Sequence, residues 1–314
     1  MTAIAGLPAR VLVTGARGFV GRHVLRSLKS AWPEAEAIAL VRSNDGDVEQ
    51  DVESLVVDLL DAGAVARAVR DSGCTHVIHA AGGNAALAAR ELFLVHSVAT
   101  RHLLGALAAS GRTIRLVNVG SSAQYGAQEP REQPELDEVC LDRPRSPYAV
   151  AKCAQELLVR AAAAEQHVEA TYVRLFNPLG PGQRGPFLVP EVLAQLGDAR
   201  RSSLRLGNQS AVRDFVDVRD AADAIVACAR TPLVAGEQLN VCSGTGTSVG
   251  ELARRLAAVA GREPDFPILD RPMPPPSIPY QRGSRRKIEK LCGWRPRRTL
   301  DETLRDVWDV ARPR

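Results

Sequence analysis

Two short segments carry side chains whose types and spacing could do chemistry. Val117 to Gly126 reads VNVGSSAQYG, a buried-strand pattern that opens into Ser121, Ser122 and Tyr125, and SPYAVAK follows with Tyr148 and Lys152. Four tyrosines and four lysines are spread over 314 residues, so a Tyr-x-x-x-Lys is expected by chance only about 0.05 times. Four positions apart on a helix, the two side chains share a face, and an ammonium there can lower the phenol's pKa and steady a phenolate. Nearly every other cation is an arginine, whereas lysine is the compact, pKa-tunable choice. Hydroxyl, phenol and amine stand together without a carboxylate, a set suited to passing one proton to or from an oxygen.

A second segment, VLVTGARGFVG, places Gly15, Gly18 and Gly21 between a strand pattern and a helix pattern. Glycines there let a backbone approach a pyrophosphate, and the helix N-terminus offers N–H donors and the positive end of its dipole. In a βαβ series this predicts a dinucleotide site. An acid at the end of the second strand would select a ribose 2′-OH, and a cation a 2′-phosphate. The strand ends LVRS with Arg42, and Arg17 lies within the glycine loop. Both favour NADP(H) over NAD(H), although Asp45 or Asp47 could swing back and reverse the preference. Asp58, at the end of the third strand, could bond the adenine amino group or serve as a turn or cap residue.

The elements that must position these residues follow from β-branched runs: RVLVT (10–14), AIALV (37–41), SLVVDL (54–59), HVIHAA (76–81), IRLVNVG (114–120) and ATYVRL (170–175). Helical spacing separates them, which predicts an α/β fold, a doubly wound parallel sheet of Rossmann type. The pattern breaks at NPLGPGQRGP (177–186). We expect residues 1–176 with about 212–243 to form the dinucleotide-binding domain, and 177–211 with about 244–314 a smaller, mostly C-terminal substrate-binding region. The stretch RPMPPPSIP (271–279) reads as a connection inside that region, and the basic run 282–298 as mostly a solvated face.

Hydrophobic residues at 45% and charged residues at 24% indicate a globular chain. A formal charge of +4 with no basic stripe and interleaved aromatics argues against nucleic acid and against an anionic membrane as partner. Six scattered cysteines without CxxC, and histidines without metal-ligand spacing, predict reduced structural thiols, a cytoplasmic setting and no metal site. No apolar run approaches the roughly 20 residues a membrane span needs, and the N-terminal segment lacks a signal-peptide pattern.

The glycine triplet, Ser121, PYAVAK, RLFNPLGPGQ, RDFVDV and LNVCSG, in that order along the chain, resemble the extended short-chain dehydrogenases/reductases acting on nucleotide sugars. RGS and GWRPRRTLDETL near the C-terminus look most like the branch that reduces GDP-4-keto-6-deoxy-mannose. The resemblance implies Tyr148 as acid/base, Lys152 as its support and a ligand of the nicotinamide ribose, and Ser121 as a hydrogen-bond partner of the reacting oxygen. It places the dinucleotide against Gly15, Arg17, Gly18, Phe19, Val20 and Gly21. Further cofactor contacts fall at Arg42, Asp58 and Leu59, and at Ala80 and Ala81. Substrate contacts fall at Ser122, Asn177, Arg213 and Arg282, the two arginines being candidates for the diphosphate. A homodimer built on the helices around ATRHLLGALAAS and AKCAQELLVRAAAA is also implied.

Two features depart from the family pattern. His96 stands where an asparagine is usual, which reads as a satisfied interior histidine. Ser122 and Ala123 stand where the dehydratases of the family carry acids, and eliminating water needs a general acid and base there. The expected activity is therefore NADPH-dependent reduction of a 4-keto sugar nucleotide, GDP-linked or dTDP-linked. The alternatives are an NAD-dependent C4 epimerase and a non-catalytic dinucleotide sensor, which would have no need of Ser121, Tyr148 and Lys152 together.

Overall fold

The computed structural model describes residues 8–311 except 47, 50, 129–134, 166–167, 199, 263–266 and 273–277. Asp47 and most of the proline-rich stretch 271–279 thus lie outside the described residues. The first part of the chain runs β1 (Arg10–Thr14), α1 (Phe19–Ala31), β2 (Glu36–Val41), β3 (Glu53–Val56), α2 (Ala62–Asp71), β4 (His76–His79), α3 (Ala89–Phe93), α4 (Ala99–Ala109), β5 (Arg115–Val119), α5 (Pro147–Ala164) and β6 (Glu169–Leu175). It continues as β7 (Asn177–Leu179), α6 (Leu188–Leu196), β8 (Leu204–Leu206), β9 (Val212–Asp217), α7 (Val218–Arg230), β10 (Glu237–Val241), β11 (Gly246–Ser248), α8 (Val249–Val259), β12 (Ile268–Asp270), α9 (Arg286–Cys292) and α10 (Leu300–Ala311).

All six apolar runs become strands of one parallel, seven-stranded sheet in the order β3-β2-β1-β4-β5-β6-β10. Order reverses between β1 and β4, the topological switch point at which ligands bind in such sheets. Continuous apolar runs suit burial on both faces. On one face α1 and α7 contribute Val24, Leu28 and Ile225. On the other α2, α4 and α5 contribute Val65, Leu103, Leu107 and Val159.

The structure departs from the sequence reading in three places. No helix joins β2 to β3 among the described residues, because SNDG at 43–46 is turn-forming chemistry. β3 stops at Val56, and Asp58 lies beyond it, its carboxylate accepting Leu60 N–H at 2.9 Å. β9 leaves the large sheet, pairing parallel with β7 and antiparallel with β11, while α7 and β10 return to it.

A separate apolar cluster of Leu179, Val192, Leu206, Leu256 and Leu304 holds α6, β8, α8 and α10 together. No basic side chain of the run 282–298 is buried, as a mostly solvated face requires, while its backbone is anchored: the Arg297 and Arg298 N–H groups donate to Asp220 Oδ2, and Trp294 Nε1 donates to Asp220 O. By length and composition, the helical stretch Ala89–Ala109 is apolar enough to cross a membrane. Within the fold 44% of its apolar window is buried, with Leu92, Leu103 and Leu107 in the core and a π-turn at Leu94–Val98. All six cysteines are free.

Candidate active site

At the carboxyl ends of the central strands a cleft of about 700 Å³ is lined from three directions. Arg17, Gly18, Phe19 and Val20 come from the β1–α1 junction, Ala80 and Ala81 from the end of β4, and Ser121, Ser122, Tyr148, Lys152 and Asn177 from the β5, α5 and β7 side.

The glycine loop has the geometry a dinucleotide needs. Gly15 sits at φ +68°, and a Cβ there would lie 2.6 Å from Ala81 Cα. A Cβ on Gly21 would lie 2.1 Å from Gly15 O, so strand and helix can approach only without it. Gly18 is exposed at the start of α1 and meets nothing but its own loop. Arg17 Nη1 donates to Ser43 O at 2.6 Å and Nη2 to Gly46 O, tying this loop to the end of β2. Arg42 is exposed there, as is Asp45. The Ser43 hydroxyl, its own backbone N–H and the nearby Arg17 and Arg42 hold the Asp45 carboxyl below its ordinary range. Among the described residues, the Arg17 and Arg42 cations and the Asp45 carboxylate thus lie together beside the end of β2. Leu59 O accepts from His102 Nδ1 at 3.0 Å. Neither Asp58 nor Leu59 lines the cleft.

Helix α5 begins at Ser146, whose Oγ accepts Ala149 N–H at 3.2 Å, with Pro147 in the first turn. This N-cap fixes the rotational phase that carries Tyr148 and Lys152 toward the end of β5. Ser121 caps a 3₁₀ turn, Ser122–Tyr125, its Oγ accepting Ala123 N–H at 3.2 Å. Burial raises the Tyr148 phenol, while a hydrogen bond with the Ser121 hydroxyl lowers it. Lys152 is buried and desolvation alone brings it down to about 7. Its Nζ donates to Val119 O at 3.0 Å and Gln155 Oε1 at 2.9 Å.

Behind this pair, Gln124 Nε2 and Arg174 both donate to Glu156, and the Arg174 guanidinium lies 4.6 Å from the Tyr125 ring centroid. Tyr125 is fully buried and donates to Asn240 Oδ1 at 2.7 Å, so it braces the loop. Its phenol is pushed well up by burial.

Ser122 and Asn177 reach the cleft, whereas Arg213 and Arg282 do not line it. The Ser122 hydroxyl donates to Gln281 Oε1 at 3.1 Å, and Asn177 Nδ2 donates to Asp214 O at 3.0 Å. Arg213 donates to Val212 O, and desolvation lowers its guanidinium. Arg282 pairs with Glu135 at 3.3 Å. Sequence reasoning did not single out Arg22, Gln183, Arg184 or Phe187, all in the cleft wall. Arg22 donates to Gly182 O at 2.6 Å, bridging the glycine-loop helix to the 180–185 turn. The cationic, turn-rich GPGQRGPF was the available signal.

His96 lies in the π-turn with its ring edge-to-face on Tyr148, centroids 5.6 Å apart. Its Nε2 donates to Gly83 O at 3.1 Å, while Nδ1 is buried without a hydrogen bond. The ring is interior, as expected, and among the described residues one of its two nitrogens has a partner. Burial and the neighbouring Lys152 bring it down to about 3, so the ring is neutral.

Residues 11–242 match the NAD dependent epimerase/dehydratase family. GDP-6-deoxy-D-mannose reductase of Pseudomonas aeruginosa is 28% identical over 309 residues, covering 95% of each chain. The dTDP-6-deoxy-L-talose 4-dehydrogenase (NAD(P)(+)) of Kitasatospora kifunensis is 31% identical over 98% of this chain and 97% of its own. Among solved structures, RMD from P. aeruginosa complexed with NADPH aligns with TM-score 0.82 at 27% identity, over 96% of this chain and 98% of that one. UDP-glucose 4-epimerase of Thermus thermophilus in complex with NAD aligns with TM-score 0.84 at 28% identity, with the same coverage of 96% and 98%. The seven-stranded sheet, the glycine loop and the Ser121–Tyr148–Lys152 cluster agree with these relationships: the chain belongs to the NAD dependent epimerase/dehydratase family, the extended short-chain dehydrogenases/reductases, and is an NAD(P)-dependent enzyme acting on nucleotide sugars.

Proposed function

We propose that the enzyme reduces the 4-keto group of a nucleoside-diphosphate 4-keto-6-deoxyhexose with NADPH, GDP-linked by preference and dTDP-linked as the nearest alternative. One observation carries this reading: among the described residues lining the cleft there is no Asp or Glu. Elimination of water needs an acid and a base beside C5 and C6, whereas ketone reduction needs one proton. When bound, the reduced nicotinamide supplies the hydride. Tyr148 Oη donates its proton to the C4 oxygen as negative charge develops there, and Ser121 Oγ bonds the same oxygen. Lys152 steadies the phenolate left behind until it regains a proton from solvent. The raised phenol suits this direction, since the resting group must be protonated to act as an acid.

The nucleotide sugar is assigned to 177–211 and about 244–314, with Ser122 and Asn177 nearest the sugar and Arg213 and Arg282 toward the diphosphate. Two relatives named for 6-deoxy sugar nucleotides, a GDP-6-deoxy-D-mannose reductase and a dTDP-6-deoxy-L-talose 4-dehydrogenase, support the sugar class. The likeness to an NAD-bound epimerase favours a second reading, C4 epimerisation with retained NAD⁺. Incubation of a 4-keto-6-deoxy nucleotide sugar with NADPH should oxidise one cofactor per sugar and leave a C4 hydroxyl. C4 epimerisation of a 4-hydroxy sugar nucleotide without added cofactor, followed by NMR, would overturn the reductase reading.

NADP(H) preference rests on Arg17 and Arg42 outweighing Asp45. Replacing Arg42→Asp should weaken NADPH far more than NADH, and Asp45→Asn should strengthen NADPH, both measured by fluorescence titration. Equal changes for the two cofactors would remove this loop from 2′-phosphate recognition.

A homodimer through α4 and α5 is proposed on the exposed Val150 and Leu157. Sedimentation as a monomer at micromolar concentration would exclude it. A cytoplasmic setting rests on the six free thiols; an oxidised pair in protein purified under thiol-blocking conditions would count against it.

A further inference from the structure

Lys152 is held by neighbours that the reaction itself leaves without a role. Gln155 is fully buried, and its amide has one orientation: Oε1 accepts from Lys152 Nζ at 2.9 Å and Nε2 donates to Thr100 Oγ1 at 2.9 Å. Thr100 commits its own proton to His96 O at 2.6 Å, so its oxygen receives from Gln155 Nε2 and also from His79 Nε2 at 3.1 Å. His79 therefore carries its proton on Nε2 and accepts at Nδ1 from Thr14 Oγ1 at 2.7 Å. Burial keeps that ring neutral, at about 3. Thr14 Oγ1 in turn accepts Ala81 N–H at 3.2 Å. Each bond permits one direction, and the chain runs from Ala81, in the wall of the cofactor cleft, to Lys152. Thr14, His79, Thr100, Lys152 and Gln155 are all buried, so none of these groups can exchange its partner for water without cost.

From this geometry we propose that Gln155 is a positioning residue: its Oε1, oriented by Thr100 and His79, holds the Lys152 ammonium beneath the reacting centre and governs its protonation. The proposal rests on the reading of Lys152 as the support of Tyr148. Titratable groups packed around Lys152 are Tyr148, Cys153 and Glu156 of α5, His79 of β4, His96 of the π-turn, and Tyr172 of β6, which donates to Lys152 O at 3.0 Å. The histidines are neutral. Burial raises both phenols and the Cys153 thiol. Glu156 is paired bidentately with Arg174. A neutral amide is thus the direct side-chain partner of the ammonium, and changing its charge should change the proton affinity of Lys152 in a chosen direction.

Only four lysines, 29, 152, 287 and 290, occur in the chain. With ¹³Cε-lysine labelling, the Lys152 signal is identified by its loss in Lys152→Met, and its titration can be followed in the protein alone. Gln155→Leu removes an acceptor and should lower the Lys152 midpoint, whereas Gln155→Glu adds a carboxylate and should raise it, each by about one unit. In turnover, the corresponding limb of the kcat–pH profile should move the same way. In Gln155→Leu, kcat should fall about 10-fold while KM for the sugar nucleotide changes by less than about 3-fold, the pattern of a group acting in the transition state. Thr100→Val releases the amide and should shift the lysine as Gln155→Leu does, providing a second variant should that one fail to fold. Unmoved midpoints, or equal shifts of one sign in Gln155→Leu and Gln155→Glu, overturn the proposal. Wild-type protein inactive on every keto sugar nucleotide would defeat the functional reading while the NMR titration still decides the role of Gln155.

Discussion

Tyr148→Phe should lower kcat about 10²-fold or more, the scale of a positioned general acid, while fold and cofactor affinity stay close to wild type. The ring can remain, since it packs edge-on against His96 and borders the cleft, so only the hydroxyl and its bond with Ser121 are lost. Residual turnover would come from binding and from Ser121, which still bonds the reacting oxygen. The measurement is NADPH oxidation at saturating sugar nucleotide, paired with far-UV circular dichroism and a cofactor titration. A variant keeping most of the wild-type rate would remove Tyr148 from the chemistry. A loss confined to KM would mean that the hydroxyl binds substrate equally in ground and transition states.

Lys152→Met should change the pH dependence of stability with a definite sign. The lysine titrates at about 7 in the folded chain and at about 10.4 when unfolded. Below the lower value both states are charged, and the folded state carries the full cost of a buried ammonium. Between the two values the unfolded state holds more protons, so this group's contribution to stability rises with pH and levels off above the unfolded value. Each unit of difference is worth about 1.4 kcal/mol, making this one of the larger single-residue effects available. Urea unfolding from pH 6 to 10 should show Lys152→Met gaining most over wild type at the acid end, the gap narrowing as pH rises. A pH-independent difference would show that Lys152 is not held at a depressed value. Loss of the bonds to Val119 O and Gln155 offsets part of the gain at every pH, so the slope is the diagnostic. The wild type would then keep a destabilising charge at neutral pH because the reaction uses it.

The distance between Arg213 or Arg282 and the cleft shows how sequence likeness and geometry differ in reach. Both sit at motif positions in the chain, RDFVDV and RGS, yet one bonds its neighbouring carbonyl and the other faces Glu135. The proposal that both arginines take the diphosphate therefore requires it to extend past the sugar pocket. Arg22, Gln183, Arg184 and Phe187 share the cleft wall because the 180–185 turn folds back over α1.

What the sequence determined by itself is what short-range geometry controls. Six apolar runs become parallel strands of one sheet, five of them largely buried and the edge strand β3 mostly exposed, and Gly15 and Gly21 permit a backbone approach that any Cβ would block. Tyr148 and Lys152 meet on one helical face because four residues make about one turn. The local turn chemistry of 43–46 was equally present in the sequence, and it overruled the helix expected between β2 and β3. Only the tertiary structure decided the rest: β9 departing to β7 and β11, and the buried line Thr14, His79, Thr100, Gln155 and Lys152. Those five residues come from β1, β4, α4 and α5, and no local spacing relates them. Strand register and helix docking place them within hydrogen-bond reach, and burial then makes each donor's choice of acceptor binding, since bulk solvent does not reach these groups to replace a lost partner.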